Sequence, residues 1–473
     1  MSSREITEAY LQRINAINPI INAYITVTEE QALSAATDSD ARRTQGQART
    51  VLDGVPLALM DNFCVNGVLT TCASKMLYNF VPPYSAACWQ KLADAGAVLL
   101  AKANMDEFAI GFSTETSAYG VTRNPFAIEY VPGGSSGGPA AAVAADMAAF
   151  ALASDTGGHT RQPAHYCGVV GLKPTYGRVS RFGIVPYASS LDQAGILAKS
   201  VSDAALILEF ICGADAFDAN TVEQKAGAYV AACSKTLHGL KVGLPKELWE
   251  CALAPANIKI LEQATAMLRA AGVNVEQVSL PHNKYALPAY YVLSSAEASS
   301  NMARFDGVNY GLRVEKDNVY DMITATRAAG FGTEAKITIL LGAYFTSAKY
   351  IDDYNNRALR LRTLVKQDYD KVFAAGYDCL LTPVANEAAV KLGSKKEDPL
   401  AKYLAAYYTA PLNLAGLPGI SIPFDQDNSL PWGLQLIGRP FEEETLFRVA
   451  AALEQPRLRP PDILEQARQK GVV

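Results

Sequence analysis

Residues 132–174 read PGGSSGGPAAAVAADMAAFALASDTGGHTRQPAHYCGVVGLKP. Gly133-Gly134-Ser135-Ser136-Gly137-Gly138 is a tight glycine–serine loop, and the alanine-rich run behind it predicts a helix with Pro139 in its first turn. Phe150–Ala153 then forms a short apolar run of the kind a buried strand shows. Ser154-Asp155-Thr156-Gly157-Gly158 is a second glycine turn, whose consecutive N–H groups could face a developing oxyanion. Val169–Leu172 reads as another buried strand. A loop, a helix, a strand and a turn in that order fit an α/β fold. A phosphate-binding loop would need a Lys-Ser/Thr pair closing the first motif, and none is there.

The same alternation extends outward. Buried strands are predicted at Ala97–Ala101, Leu240–Leu244, Cys379–Thr382, Ile420–Pro423 and Leu434–Ile437. Helical periodicity covers 3–17 and 28–45 and recurs near 85–95, 139–148, 201–211, 256–271, 340–375 and 443–454. Buried strands between helices predict one sheet covered on both faces. The stretch 282–375, rich in alanine, tyrosine and charge, reads as a mainly helical insertion or cap. No repeat or long linker calls for separate domains.

Composition is that of a large globular chain: 473 residues, 49% hydrophobic and 19% charged. A net charge of −5 gives no basic excess for direct nucleic-acid binding. The N-terminus, MSSREITEAYLQRI, lacks the apolar core of a secretory signal. Ser2 with Glu5 forms a capping-box pattern, and Ile6, Tyr10, Leu11, Ile14 and Ile17 share a helical face. The apolar run 140–153 is interrupted by Asp146 and is too short to cross a bilayer. A soluble, cytoplasmic protein without membrane contact is expected. The eight cysteines, Cys64, Cys72, Cys88, Cys167, Cys212, Cys233, Cys251 and Cys379, contain no CxxC pair and read as reduced, buried thiols. Among the four histidines, His159 and His165 lie near Cys167, but the spacing fits no zinc pattern, so neither metal nor cofactor is expected.

GGSSGG, then DTGG-x-x-RQPA, then GLKPTYGRVS resembles the amidase signature family. The resemblance continues through LDGVPLALMDNFCVNGVLTTCASK (52–75), KANMDEFAIGFSTETSAYGVTRNP (102–125), SRFGIVPYASSLDQAG (180–195), NLAGLPGISIP (413–423) and LPWGLQLIGRPF (430–441). Within the family it is most similar to the A-subunit branch of the tRNA-dependent amidotransferases. It implies one amidase-signature domain over 1–473, a central mixed β-sheet covered by helices on both faces, glutamine amide hydrolysis, and B- and C-subunit-like partner chains.

The family's catalytic residues are a lysine base, a cis-peptide serine that relays the proton and a nucleophilic serine. Carried over, the bridging serine falls on Ser135, which is present. The nucleophile of the GGS-x-RQP motif falls on His159, and the lysine of I-K-D-N falls on Met60. Asp155, Thr156, Gly157 and Gly158 would form the oxyanion turn. The family's glutamine-binding Asp maps to Ala406 and its Arg to the run 335–339, where Thr338 stands; Tyr290 or Tyr291 and Thr409 would remain from the pocket.

Four polar positions are thus replaced while the glycine loops around them are intact. Methionine cannot accept a proton. In the serine-triad template, loss of one member leaves about 10³–10⁴-fold acceleration over water. The expectation is a pseudoamidase with a binding or assembly role, whose pocket suits a small amide or a ligand less polar than glutamine. Two alternatives stand beside it: a hydrolase rewired to Ser135 with His159 as base, and residual amidotransferase A-subunit activity.

Overall fold

The computed structural model describes residues 1–250, 253–394 and 404–472. Its strands are β1 (Tyr24–Val27), β2 (Pro56–Met60), β3 (Val98–Ala103), β4 (Phe150–Asp155), β5 (Val170–Lys173) and β6 (Gln193–Ala198). They continue with β7 (Lys241–Pro245), β8 (Asn274–Val278), β9 (Cys379–Pro383), β10 (Gly419–Asp427) and β11 (Leu430–Gly438). All belong to one sheet of order β1-β3-β2-β4-β6-β5-β10-β11-β9-β7-β8. The sheet is mixed. β3, β2 and β4 run parallel, β4 to β9 are joined by antiparallel pairings, and β9, β7 and β8 are parallel again.

β2, β3, β4, β5, β6 and β9 are buried at every residue. Such strands need cover on both faces, which fits their largely apolar character, with Lys102, Ser154, Asp155, Lys173, Gln193 and Thr382 as buried polar exceptions. The register of β2 against β4 sets the site: Leu59 lies beside Leu152. Met60, the last residue of β2, is thereby level with the end of β4, where the Ser154–Gly158 turn begins.

The first helix, Ser3–Ile21, starts on the expected capping box: the Ser2 hydroxyl accepts from Glu5 N–H and the Glu5 carboxylate accepts from Ser2 N–H. Leu11, Ile14 and Ile17 form its buried face. Four strands lack a counterpart in the sequence reading. β1 and β8 are short edge strands, β8 with polar residues exposed; β2 and β6 are short runs carrying proline, glycine or glutamine, which masks their burial. The helix expected over 340–375 is two helices, Thr333–Thr346 and Arg357–Ala374. Ser347 takes an extended conformation and its hydroxyl donates to the Tyr344 carbonyl, ending the first of them. The helix expected over 139–148 spans Gly137–Ala144, and Asp146, with φ of 57°, turns out to pair with Lys199 and Arg457.

Between 282 and 375 the longer elements are helical: Ala286–Asn301, Val319–Gly330, Thr333–Thr346 and Arg357–Ala374. Ala286–Asn301 packs against the last two. Among the described residues no helix is long and apolar enough to cross a membrane. The described cysteines are free thiols, all buried except the half-buried Cys233; Cys251 lies outside the described residues.

Candidate functional site

The Gly133–Gly138 loop is clamped from two sides. Gly134 N–H donates to Gln162 Oε1 at 3.0 Å and Ser136 N–H to the His159 carbonyl at 3.2 Å. On the other side the Ser135 carbonyl accepts from Asp106 N–H at 3.2 Å. The Gly134–Ser135 peptide is cis. Ser135 is fully buried, and its hydroxyl has no hydrogen-bond partner among the described residues.

The second turn is held from behind by Asp155. Its carboxylate receives Gly158 N–H at 2.8 Å, Thr160 N–H at 3.1 Å and two donors of Arg161 at 3.0 and 3.1 Å. Arg161 in turn donates to Gln435, Asn413 and the Thr409 carbonyl. A buried ion pair is tolerable when its remaining donors and acceptors are met in this way. Burial pushes the Asp155 carboxyl up, but Arg161 outweighs it and holds the group well below the usual range. Within the expected oxyanion set, then, Asp155 and the Gly158 N–H buttress the turn from inside. The Thr156 hydroxyl is engaged as well, donating to Asp192 at 2.7 Å. Gly158 has φ of 116°, a conformation side chains rarely adopt.

Met60 is fully buried, with its thioether where these motifs converge. Its Sδ accepts from Ser154 N–H at 3.3 Å and the Ser154 hydroxyl at 3.5 Å, and it shares the Ser136 hydroxyl, at 3.2 Å, with the Ser154 carbonyl, also at 3.2 Å. Asn62 Nδ2 also donates to the Ser154 hydroxyl, at 2.9 Å. The neighbouring Asp61 is paired with buried Lys102 at 3.1 Å, so this lysine is committed elsewhere.

His159 is fully buried in a cage of rings. Phe112 meets it edge-on with centroids 4.6 Å apart, Tyr187 lies nearly parallel at 6.0 Å, and Tyr290 Oη stands 3.5 Å from Nε2. Nδ1 has no partner among the described residues. Burial lowers the imidazole to about 4, against the opposing pull of Asp155. At neutral pH it is uncharged. Since the Ser135 hydroxyl is itself unpartnered, Ser135 and His159 do not share a hydrogen bond. His165 and Cys167 turn away to Gly433, the Glu387 carbonyl and the Pro132 carbonyl.

Of the expected pocket residues, Tyr290 and Thr409 reach the turn. A Cβ on Gly157 would meet Tyr290 Cζ at 2.4 Å, and the Thr409 hydroxyl donates to the Gly157 carbonyl at 2.7 Å. Ala406 is buried in the same local turn, its carbonyl accepting from Ala410 N–H. Thr338 belongs to the buried stripe Ala335–Thr338–Gly342 of its helix. A cavity of about 510 Å³ opens beside the floor, reaching Ser154, Asp192 and Gln193; His159, Tyr290, Thr338, Ala406 and Thr409 do not line it. Sequence reasoning missed Phe112, Tyr187 and Asp192. Their motifs, FAIGFSTE and IVPYASSLDQ, were visible, but nothing in the pattern says which side chains turn toward His159 or Thr156.

A mixed α/β sheet carrying a glycine–serine loop with a cis Gly–Ser peptide, facing a second glycine turn, defines an amidase-type scaffold. The chain belongs to the amidase family, whose pattern matches residues 5–447. It is 51% identical to the A subunit of glutamyl-tRNA(Gln) amidotransferase from Moorella thermoacetica, over 96% of this chain and 93% of that one. The crystal structure of the corresponding A subunit from Thermotoga maritima superposes with a TM-score of 0.80 at 38% identity, covering 97% and 95% of the two chains. A structure described as an unexpected vestigial protein complex revealing the origins of an s-triazine catabolic enzyme superposes with a TM-score of 0.86 at 30% identity, covering 98% and 97%.

Proposed function

We propose that this chain is a cytoplasmic amidase-family protein that has given up glutamine hydrolysis and serves in binding or assembly. The observation carrying this reading is the Met60 thioether, which takes up the Ser136 and Ser154 hydroxyls where the family's base would stand. A thioether accepts weak hydrogen bonds but no proton at neutral pH. With no base in reach and an unpartnered hydroxyl, Ser135 has nothing to relay.

The nucleophile position supports the same reading. A caged, uncharged imidazole is a poor group to place in the path of an amide carbonyl. The Ser135–His159 dyad lacks the hydrogen bond through which a base activates a serine. Ala406 and Thr338 offer no charge to glutamine's ammonium and carboxylate, and each lost partner disfavours glutamine by about 1–3 kcal/mol. Relatives at this identity are named as one subunit of an amidotransferase. B- and C-subunit-like chains are the partners proposed here.

Ammonia release from glutamine by the purified protein is the test. The expected result is no activity above background. Glutaminase activity that disappears in His159→Ala would overturn the proposal.

A further inference from the structure

The 510 Å³ cavity falls within the range of small-molecule sites, about 300–1,000 Å³. Its lining comes from stretches far apart in sequence, around residues 77–84, 181–189, 217–218 and 304–310, over a floor at Ser154 and Asp192. Every residue from 181 to 186 is half-buried, because this loop turns one side to the cavity.

Two aromatic groups form the walls. Phe182 stacks on Phe217 at 4.9 Å and lies 5.7 Å from Tyr84. Tyr310 lies 5.5 Å from Phe80 and 6.3 Å from Phe305. Rings presenting both faces and edges favour a flat aromatic ligand.

The charges decide what that ligand carries. Four charged residues line the cavity: Arg181, Asp192, Asp218 and Arg304. Arg181 and Asp218 pair at 3.4 Å. The Asp192 carboxylate already receives the Thr156 hydroxyl and the N–H groups of Tyr187 and Ala188, and burial raises it to about 7. Arg304 is exposed and donates only to Asn301, with no carboxylate partner among the described residues. The cavity therefore offers one exposed cation without a carboxylate partner among the described residues, and one buried carboxylate whose oxygens are already filled by three neutral donors. An amino acid's ammonium finds only this filled, buried carboxylate, whereas a simple carboxylate meets the exposed Arg304 guanidinium.

We infer that this cavity binds an aromatic carboxylate, its ring among Phe80, Phe182 and Tyr310 and its carboxylate at the Arg304 guanidinium. This goes beyond the loss of glutamine hydrolysis and does not depend on it, since the cavity does not include His159 or the Tyr290–Thr409 side of the turn.

Isothermal titration of the full-length protein with cinnamate, and with its neutral analogue cinnamamide, tests the inference. Cinnamate is expected to bind saturably at one site, with cinnamamide about two- to fivefold weaker for want of the charged pair. Arg304→Gln, a change at an exposed position that leaves the fold intact, should weaken cinnamate by about the same factor and leave cinnamamide unchanged. The inference is overturned by an absence of saturable cinnamate binding, by equal affinity for acid and amide, by an Arg304→Gln variant that binds cinnamate as the parent does, or by displacement of cinnamate with glutamine. Ammonia release in the separate glutaminase assay bears on none of these outcomes.

Discussion

Met60→Lys puts an amine at the position proposed above for the family's base, and its cost follows from the contacts of Met60 Sδ. The site is fully buried, and three donors converge on the sulfur: two serine hydroxyls and the Ser154 N–H. The hydroxyls can rotate to accept, but the N–H cannot, so an ammonium there opposes a fixed donor while a neutral amine accepts from it. The nearest carboxylates give no relief, because Asp61 is paired with Lys102 and Asp155 with Arg161. Desolvation and the fixed donor both favour the neutral form, and a drop of about 3 units from the ordinary lysine value corresponds to about 4 kcal/mol. A lysine depressed in the folded state loses this stability wherever the unfolded chain holds the extra proton. The penalty is therefore largest at neutral pH and shrinks toward the ordinary lysine value. Urea denaturation of parent and variant should show a deficit of about 4 kcal/mol near pH 7, falling below about 1 kcal/mol near pH 10. A deficit of the same size at both pH values would refute the reasoning, as would a variant as stable as the parent near neutrality. With His159→Ser added and the protein held at mildly alkaline pH, ammonia release from a small amide would show whether the scaffold is still competent.

Two further perturbations probe the surroundings. Burial lowers His159 and His165 to about 4, so each contributes stability that is complete above the ordinary histidine value and is lost as pH falls from about 6.5 toward 4, about 3 kcal/mol apiece. Asp106 and Asp192, raised by burial to about 6 and about 7, contribute with the opposite sign, so the readout is the stability difference between parent and His159→Phe across that window. That difference should change by about 3 kcal/mol, and a flat difference would mean that His159 is protonated inside its cage. Gly157→Ala drives a methyl to within 2.4 Å of Tyr290 Cζ, at a cost of about 1–3 kcal/mol by denaturant unfolding. In a double-mutant cycle with Tyr290→Ala, most of that cost should disappear; additive effects would show that the turn and the helix Ala286–Asn301 are not in contact.

Much of this molecule is legible in its amino-acid sequence. The alternation of apolar runs with helical periodicity is enough for an α/β sheet covered on both faces, because a strand buried on both sides is mostly apolar, its few charges paired as Lys102 and Asp155 are. The two glycine turns, Ser135, Met60 and His159 are also readable, since motif spacing is a property of the chain alone. What spacing cannot carry is direction. That the Met60 thioether gathers Ser136 and Ser154 depends on β2 lying beside β4 with Leu59 level with Leu152, a register made by strands distant in the chain. Asp155 could be assigned to an oxyanion turn from its place in DTGG, yet its carboxylate faces Arg161 and the backbone behind the turn, which only the packing of Gln435 and Asn413 around Arg161 decides. The ring cage of His159 is assembled from Phe112, Tyr187 and Tyr290, and the cavity from four distant loops. Residue identity places Met60 and His159 at their two motif positions, and tertiary contact decides what surrounds them, because burial and hydrogen bonding are properties of neighbours that the linear order does not contain.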